Sequence, residues 1–384
     1  MNISRIILVV VAATVFSIYG YKSHQFHQEA KQRRAEHSMD FLEKFKAYDP
    51  DPTDCQLNTS KALREKDFAR LDELAAIYAA ERGVPGKDRN NICDYFDVLA
   101  TEGNKKTRIR EIKVLEQWLE QRPDSTPAKV ALAEILTKYA WDARGDGFAN
   151  TVSDEQFHLF YQRLHQAVEI LKTIPEDQRL IYPECYGEFI TCARGLTIPK
   201  DEFKELYQEA TAASPKCVDI HYSAAHFTTP QWGGKPGEWE ANLRNALKSL
   251  PNDAAAQVYA ATICRMIKWG HWHNNYKNIF KPANIDPKKF IRGLELLVDN
   301  TPEDAPIRIY YLTAMAFAIT HYYNDPIASR DAYKAADWQY DLKIWHTEKH
   351  FDHSAREWFE RRFKAYNEEI DEYESDGAHF ILFR

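Results

Sequence analysis

The chain has 384 residues, of which 44% are apolar, and a net charge of −7 built from interspersed acidic and basic side chains. That is enough apolar material for two domains or one long solenoid, and no basic stripe runs along it, which argues against nucleic acid as a partner. Only 14 glycines stand against long Ala/Leu/Glu/Lys stretches, favouring α over β structure, and the 9 Trp, 21 Tyr and 20 Phe residues supply packing anchors or groove walls.

The first element is the uncharged run Ile6 to Tyr19, 14 residues long. That length suits a signal-peptide core. Extended from Ile3 to Tyr21 it reaches 19 residues, with Arg5 able to snorkel to the interface. No small-x-small cleavage site is evident, so residues 1–22 read as an uncleaved anchor helix, with a cleaved signal peptide as the alternative. The short leading tail places the body outside the cytoplasm, whereas Lys22, Lys31, Arg33 and Arg34 after the run point the other way.

Residues 23–54 form a stalk and linker: Glu29 to Tyr48 reads as a charged helix, broken by Asp49-Pro50-Asp51-Pro52. From 55 to 344 the pattern is helix, loop, helix, proline. Expected helices run from Lys61 to Glu81, Arg110 to Gln121, Ala128 to Ala143, Glu155 to Thr173, Cys185 to Ala193 and Asp201 to Ala213. Further ones run from Asp219 to Phe227, Glu238 to Leu250, Ala254 to Lys268, Pro287 to Val298, Ala305 to Tyr323 and Pro326 to Tyr340. Second helices close at Arg122-Pro123, Ile174-Pro175, Ser214-Pro215, Leu250-Pro251 and Thr301-Pro302, where proline lacks the amide donor a helix needs. First helices close at glycine: Gly83, Gly145, Gly195, Gly233-Gly234 and Gly270. The proline punctuation recurs at roughly 35 to 50 residues, the mark of a helical-repeat array. Leu164, Val168 and Leu171 form one buried stripe, as do Phe203, Leu206 and Ala210, and Leu243, Ala246 and Leu250. Residues 345–384 read as a capping helix and tail.

The segment Trp141 to Ala149, followed by Val152, Phe157, Arg163 and Ala167, resembles an uncharacterised bacterial family, the domain of unknown function family four-zero-three-four; Pro230-x-Trp232-Gly233-Gly234 is similar to a second stretch of it. The resemblance covers roughly residues 60 to 300 and implies a tetratricopeptide-like binding scaffold with no assigned reaction. The fold class expected is all-α: a tetratricopeptide-like α-α superhelix, or solenoid, behind the anchor helix.

The Trp141 to Ala149 corner is the first site candidate. Trp141 stacks, Arg144 pairs with a carboxylate, and the glycines beside Asp146 let backbone approach a ligand; the alternative is a structural corner in which Arg144 binds helix-end carbonyls. Asp142, Asp146 and Gly147 imitate a calcium loop, but Arg144 and Ser153 fall where ligands are required, so calcium is rejected. His346, His350 and His353 share a helix face without a metal motif around them. His271, Trp272 and His273 lie in an expected insertion over 270–287, where a binding loop or a plug would fit. Tyr222 and His226 sit on a first helix with His221, and Trp232 follows it. A core role is the alternative for His226.

Six cysteines, at 55, 93, 185, 192, 217 and 264, form no CxxC and read as buried free thiols. No Walker loop, Gly-x-Ser-x-Gly or dinucleotide fingerprint occurs. The expectation is a scaffold in a bacterial inner membrane, single-pass with a periplasmic body, that binds a protein or peptide partner and needs no metal or cofactor. The alternative is an envelope enzyme, hydrolase or metal-dependent, using the His/Trp-rich surface of the last third.

Overall fold

The computed structural model describes residues 28, 44–48, 52–81, 91–101, 104–145, 147, 149–272, 284–303, 305–320, 326–341 and 357–365. They are helical apart from turns and two three-residue strands, so the all-α expectation holds. They fall into two compact units, one within Asp49–Met315 and one drawn from Met1–Tyr48 and Ala316–Arg384. The apolar run of residues 1–22 lies outside the described residues, and among those described no helix is long and apolar enough to cross a membrane.

The larger unit opens with α1 (Asp54–Glu65) and α2 (Phe68–Ala80). The expected single helix from Lys61 to Glu81 is therefore two. Lys66 turns left-handed at φ 54°, its amide bonding the Ala62 and Leu63 carbonyls, and Asp67 restarts the chain by capping the Arg70 amide. The next helix, α3 (Asn91–Leu99), has no counterpart in the expected list; it buries Ile92, Tyr95, Phe96 and Leu99, and the Tyr95 hydroxyl donates to the Leu71 carbonyl at 3.1 Å.

Paired helices follow: α4 (Lys105–Gln121) and α5 (Thr126–Arg144), α6 (Asp154–Lys172), the short α7 (Glu176–Ile181), α8 (Glu184–Leu196) with α9 (Lys200–Ala213), α10 (Val218–Phe227) with α11 (Glu238–Ala246), and α12 (Asn252–Trp272) with α13 (Pro287–Asp299). The proline marks sit where expected. Pro123, Pro175, Pro215 and Pro302 each follow the end of a second helix, and Pro251 follows a 3-10 turn, Leu247–Ser249, that extends α11. The same tetrads start what comes next: Ser125 caps the Ala128 amide of α5 at 3.2 Å.

Glycine is the less faithful stop. Helix α5 does end at Gly145, at φ 72°, but α8 runs through Gly195 to a left-handed Thr197, and α12 runs through Gly270 to Trp272. Gly195 is there for close approach: a Cβ at that position would run into Leu164 and Phe160 of α6. A helix-interior glycine costs only about 1 kcal/mol, which packing on both sides outweighs. His271 and Trp272 therefore belong to the end of a helix, not to an insertion.

Helices α5, α8, α10 and α12 pack on one another in series, and each also packs on the second helix of its pair: α5 on α6, α8 on α9, α10 on α11 and α12 on α13. Each second helix presents one apolar stripe, phased slightly differently from the reading above. The buried positions are Phe160, Leu164, Ala167 and Leu171 in α6, Phe203, Tyr207 and Ala210 in α9, and Trp239, Leu243 and Leu247 in and beyond α11. Val168, Leu206 and Ala246 flank these stripes, partly covered. Hydrogen bonds tie successive pairs: the Tyr259 hydroxyl of α12 donates to the fully buried Glu240 of α11 at 2.6 Å and accepts the Asp286 amide at 2.9 Å. His221 is enclosed in α10. Its Nε2 donates to the Pro215 carbonyl and its Nδ1 accepts from the Tyr207 hydroxyl, both at 2.8 Å, which fixes a neutral ring.

The last helices are α14 (Pro306–Ala318) and α15 (Pro326–Ala335). In the larger unit Arg308 donates to the Val298 and Thr301 carbonyls at the end of α13. In the smaller unit β1 (Lys46–Tyr48) pairs in parallel with β2 (Gln339–Asp341). The end of the stalk is thus strand, not helix, and so is the end of the element expected from Pro326 to Tyr340. Phe45 decides it by inserting among Tyr333, Trp338 and Phe359, with ring centroids 5.0, 5.8 and 6.0 Å away, and tertiary packing overrides local helix preference.

Two stability tests follow from this packing. A Cβ on Gly293 would be driven into the Ala256 carbonyl at the α12–α13 crossing, where backbone cannot yield. Gly293→Ala is expected to destabilise the larger unit by about 1–3 kcal/mol, read as a lower midpoint in denaturant unfolding. The second concerns acid. Burial holds the His221 imidazole down at about 4, so between that value and the ordinary 6.5 the unfolded chain binds the extra proton. Stability is therefore expected to fall as pH drops from about 6.5 toward 4, by roughly 3 kcal/mol in all, and His221→Gln should flatten that slope in urea titrations.

Candidate functional site

The serially packed helices carry unusual residues on one side. Glu134, Lys138 and Trp141 follow one another at helical spacing on α5, as do Glu184, Glu188, Thr191 and Arg194 on α8, and Asp219, Tyr222 and His226 on α10; Arg265 faces them from α12. Residues three and four apart share a helix face, so each helix carries a polar strip alongside its apolar one.

At one end of the strip stands Asp219. Its Oδ1 takes the Arg265 guanidinium, and its Oδ2 accepts from the Cys93 thiol of α3 at 3.1 Å. The Arg265 guanidinium also lies 4.4 Å over the Tyr222 ring. With Glu184, the possible ligand atoms of Cys93 and Asp219 lie within 4.8 Å of one another, a spacing that could hold a metal ion. The bonding already present runs against one. A cation would have to displace Arg265 and take the thiol proton, which burial and the Asp219 charge hold well above the ordinary cysteine range. The same shift makes Cys93 a poor nucleophile. The remaining thiols at 55, 185, 192, 217 and 264 are buried and form no disulfide among the described residues.

In the middle, Lys138 pairs with Glu134 at 2.8 Å and donates to the Ala100 carbonyl at 2.5 Å. Glu188 across from them is pushed up to about 8, first by burial and then by the Glu134 carboxylate, so its carboxyl is mostly neutral at pH 7.

At the other end two indoles meet. Trp141 and Trp232 cross edge to face with centroids 5.3 Å apart, Trp232 being carried there by the 3-10 turn Pro230–Trp232. Arg144 lies 5.8 Å from both rings, and Arg194 of α8 lies 5.1 and 5.3 Å from them. Arg144 also donates to the Gly145 and Gly147 carbonyls at 3.0 and 3.1 Å, so the corner does use it as a helix-end cap. Arg194 makes no hydrogen bond and no ion pair among the described residues, its Nε is sealed from solvent, and burial lowers its pKa to about 10 against the opposing pull of Tyr222 and Glu188. Asp142 is the partner of the buried Arg108 at 3.0 Å.

The structure thus brings together Trp141, Arg144 and Trp232 from the sequence reading and places the Tyr222 ring against Arg265. His226 is buried against the Tyr222 ring, 4.8 Å away, in the core position that was its alternative. The side chains of His271 and Trp272 are not described, and Asp146, His273, His346, His350 and His353 lie outside the described residues. Sequence reading passed over Arg194, Glu188, Glu134, Lys138, Asp219 and Arg265. The signal was present: charged residues at i, i+4 inside helices that are otherwise among the most buried of the chain. Two open surface clefts lie elsewhere, of about 380 Å³ beside Arg122 and Tyr182 and about 420 Å³ beside Glu238 and Arg244.

No family model, no curated protein and no solved structure matches the chain.

Asp219 sets the state of Cys93, and that is measurable. Asp219→Asn removes the charge that raises the thiol and frees Arg265 to favour thiolate. Iodoacetamide modification of Cys93 at pH 8 is expected to accelerate at least about threefold, followed by peptide mass spectrometry. The five buried thiols should stay unmodified, which reports that the variant remains folded.

Proposed function

We propose that this chain is a tetratricopeptide-like superhelical scaffold, held at a bacterial inner membrane by its first apolar run with the body on the periplasmic side, and that it binds a protein or peptide segment without performing chemistry. The observation that carries this reading is the polar strip on α5, α8, α10 and α12. Helices packed in series, each turning charged and aromatic side chains the same way, resemble the first helices that line the binding face of such arrays. Alternation of proline-closed second helices with these first helices supports the superhelix, and the resemblance at Trp141 to Ala149 supports membership in the uncharacterised bacterial family. Cys93 held as a thiol supports a non-catalytic role. The rival, a metal-dependent enzyme, draws its one specific observation from the Cys93, Glu184 and Asp219 trio, with Arg265 set against it.

The test is photocrosslinking in native membranes. A crosslinking amino acid at Asp97 or Trp232, beside the strip, is expected to mark one short segment of one partner, and a synthetic copy of that segment should compete. The same group at Lys204 on the exposed side of α9 should not mark it. Equal labelling from Lys204, or scattered labelling from all three positions, would defeat the proposal.

A further inference from the structure

Among the described residues of the larger unit, Arg194 stands apart from the other enclosed arginines. Arg108, Arg163 and Arg265 all have acceptors: Arg108 bonds Asp142, Arg163 donates to the Tyr139 carbonyl at 2.6 Å, and Arg265 bonds Asp219. Arg194 lies over two aromatic faces, Trp141 and Trp232, and shares both with a second guanidinium, Arg144, while the nearby Glu188 carboxyl is mostly neutral and not bonded to it. Two cations over one indole pair, with no carboxylate bonded to either among the described residues, make a local excess of positive charge in a chain whose net charge is −7. Beside them the Trp141 Nε1 donor is also sealed without an acceptor. Cation–π attraction offsets part of the cost of desolvating a guanidinium, but it leaves the donors unused.

From this geometry we infer that Arg194, Arg144, Trp141 and Trp232 form a receptor for a carboxylate carried next to a flat or apolar group, as at the end of a peptide. The planar guanidinium edge of Arg194 offers two parallel donors to a carboxylate, and Trp232, only partly covered, offers a face for the attached group. A doubly charged anion fits less well, because Arg144 already spends one nitrogen on two carbonyls and Glu134 lies further along the strip. The inference rests on the binding role proposed for the strip and names what one end of it would hold.

The experiment is calorimetric titration of the full chain with hippurate, which mimics a peptide end, against hippuramide, which lacks the charge, with inorganic phosphate as a competitor. Hippurate is expected to bind and hippuramide not to. Arg194→Gln and Arg144→Gln should each weaken hippurate roughly tenfold. Hippurate should also raise the thermal midpoint of the parent chain but not of Arg194→Gln, a shift that a purely structural arginine would not produce. Should Arg194→Gln fail to fold, Arg144→Gln on the exposed corner decides. Binding of hippuramide as tight as hippurate, unchanged binding by a folded variant, or phosphate outcompeting hippurate would overturn the assignment. Loss of hippurate binding with crosslinks from Asp97 intact would remove this receptor and leave the scaffold standing; loss of the crosslinks with hippurate still bound would do the reverse.

Discussion

A carboxylate enclosed between helices must be neutralised by whatever packs against it, and Asp219 shows how much structure that requirement organises. Its two oxygens are taken by Cys93 from α3 and Arg265 from α12, helices far apart in sequence that meet around α10. The apolar stripes hold each pair of helices dry, but they are interchangeable in register. A charge with one partner on each side is not, so the polar strip fixes which helices face one another. The same logic recurs at Glu240, Tyr259 and the Asp286 amide, where α11, α12 and the start of α13 are tied at one point.

The parts of the fold that could be read from sequence are those set by local chemistry. Proline removes a donor whatever surrounds it, and the ends of α4, α6, α9 and α13 fall where the tetrads put them. Glycine only permits a conformation, and its meaning depends on neighbours. Gly145 ends a helix, while Gly195 sits inside one because α6 presses against it. The strand at Lys46–Tyr48 was not legible, since it depends on a distant partner, Gln339–Asp341; the break at Lys66 is a local cap, but it sets a lysine in the left-handed conformation that glycine usually marks. The stripes were found with the right anchors and a phase error of one position: Ala167, Tyr207 and Leu247 are buried where Val168, Leu206 and Ala246 were expected.

The candidate site divides along the same line. Trp141, Arg144 and Trp232 stand in glycine-rich corners that catch the eye in sequence. Arg194 gains its meaning only when α8 lies beside α5 and brings it to the same indoles. Its carboxylate neighbour Glu188 is likewise ordinary in sequence and becomes mostly neutral only through burial near Glu134. Chemistry made by convergence of separate helices leaves only a faint periodic trace in the chain.

Gly195 follows Arg194 directly, and that adjacency has a consequence for how the molecule can vary. The glycine fixes the depth at which α8 seats against Leu164 and Phe160, and the Trp141 ring touches the same spot at 3.4 Å. The guanidinium one residue earlier inherits that depth. A change in the hydrophobic interior at Leu164 or Phe160 would therefore tilt the half-buried arginine beside it, so ligand preference at this corner is open to retuning by substitutions that never meet solvent.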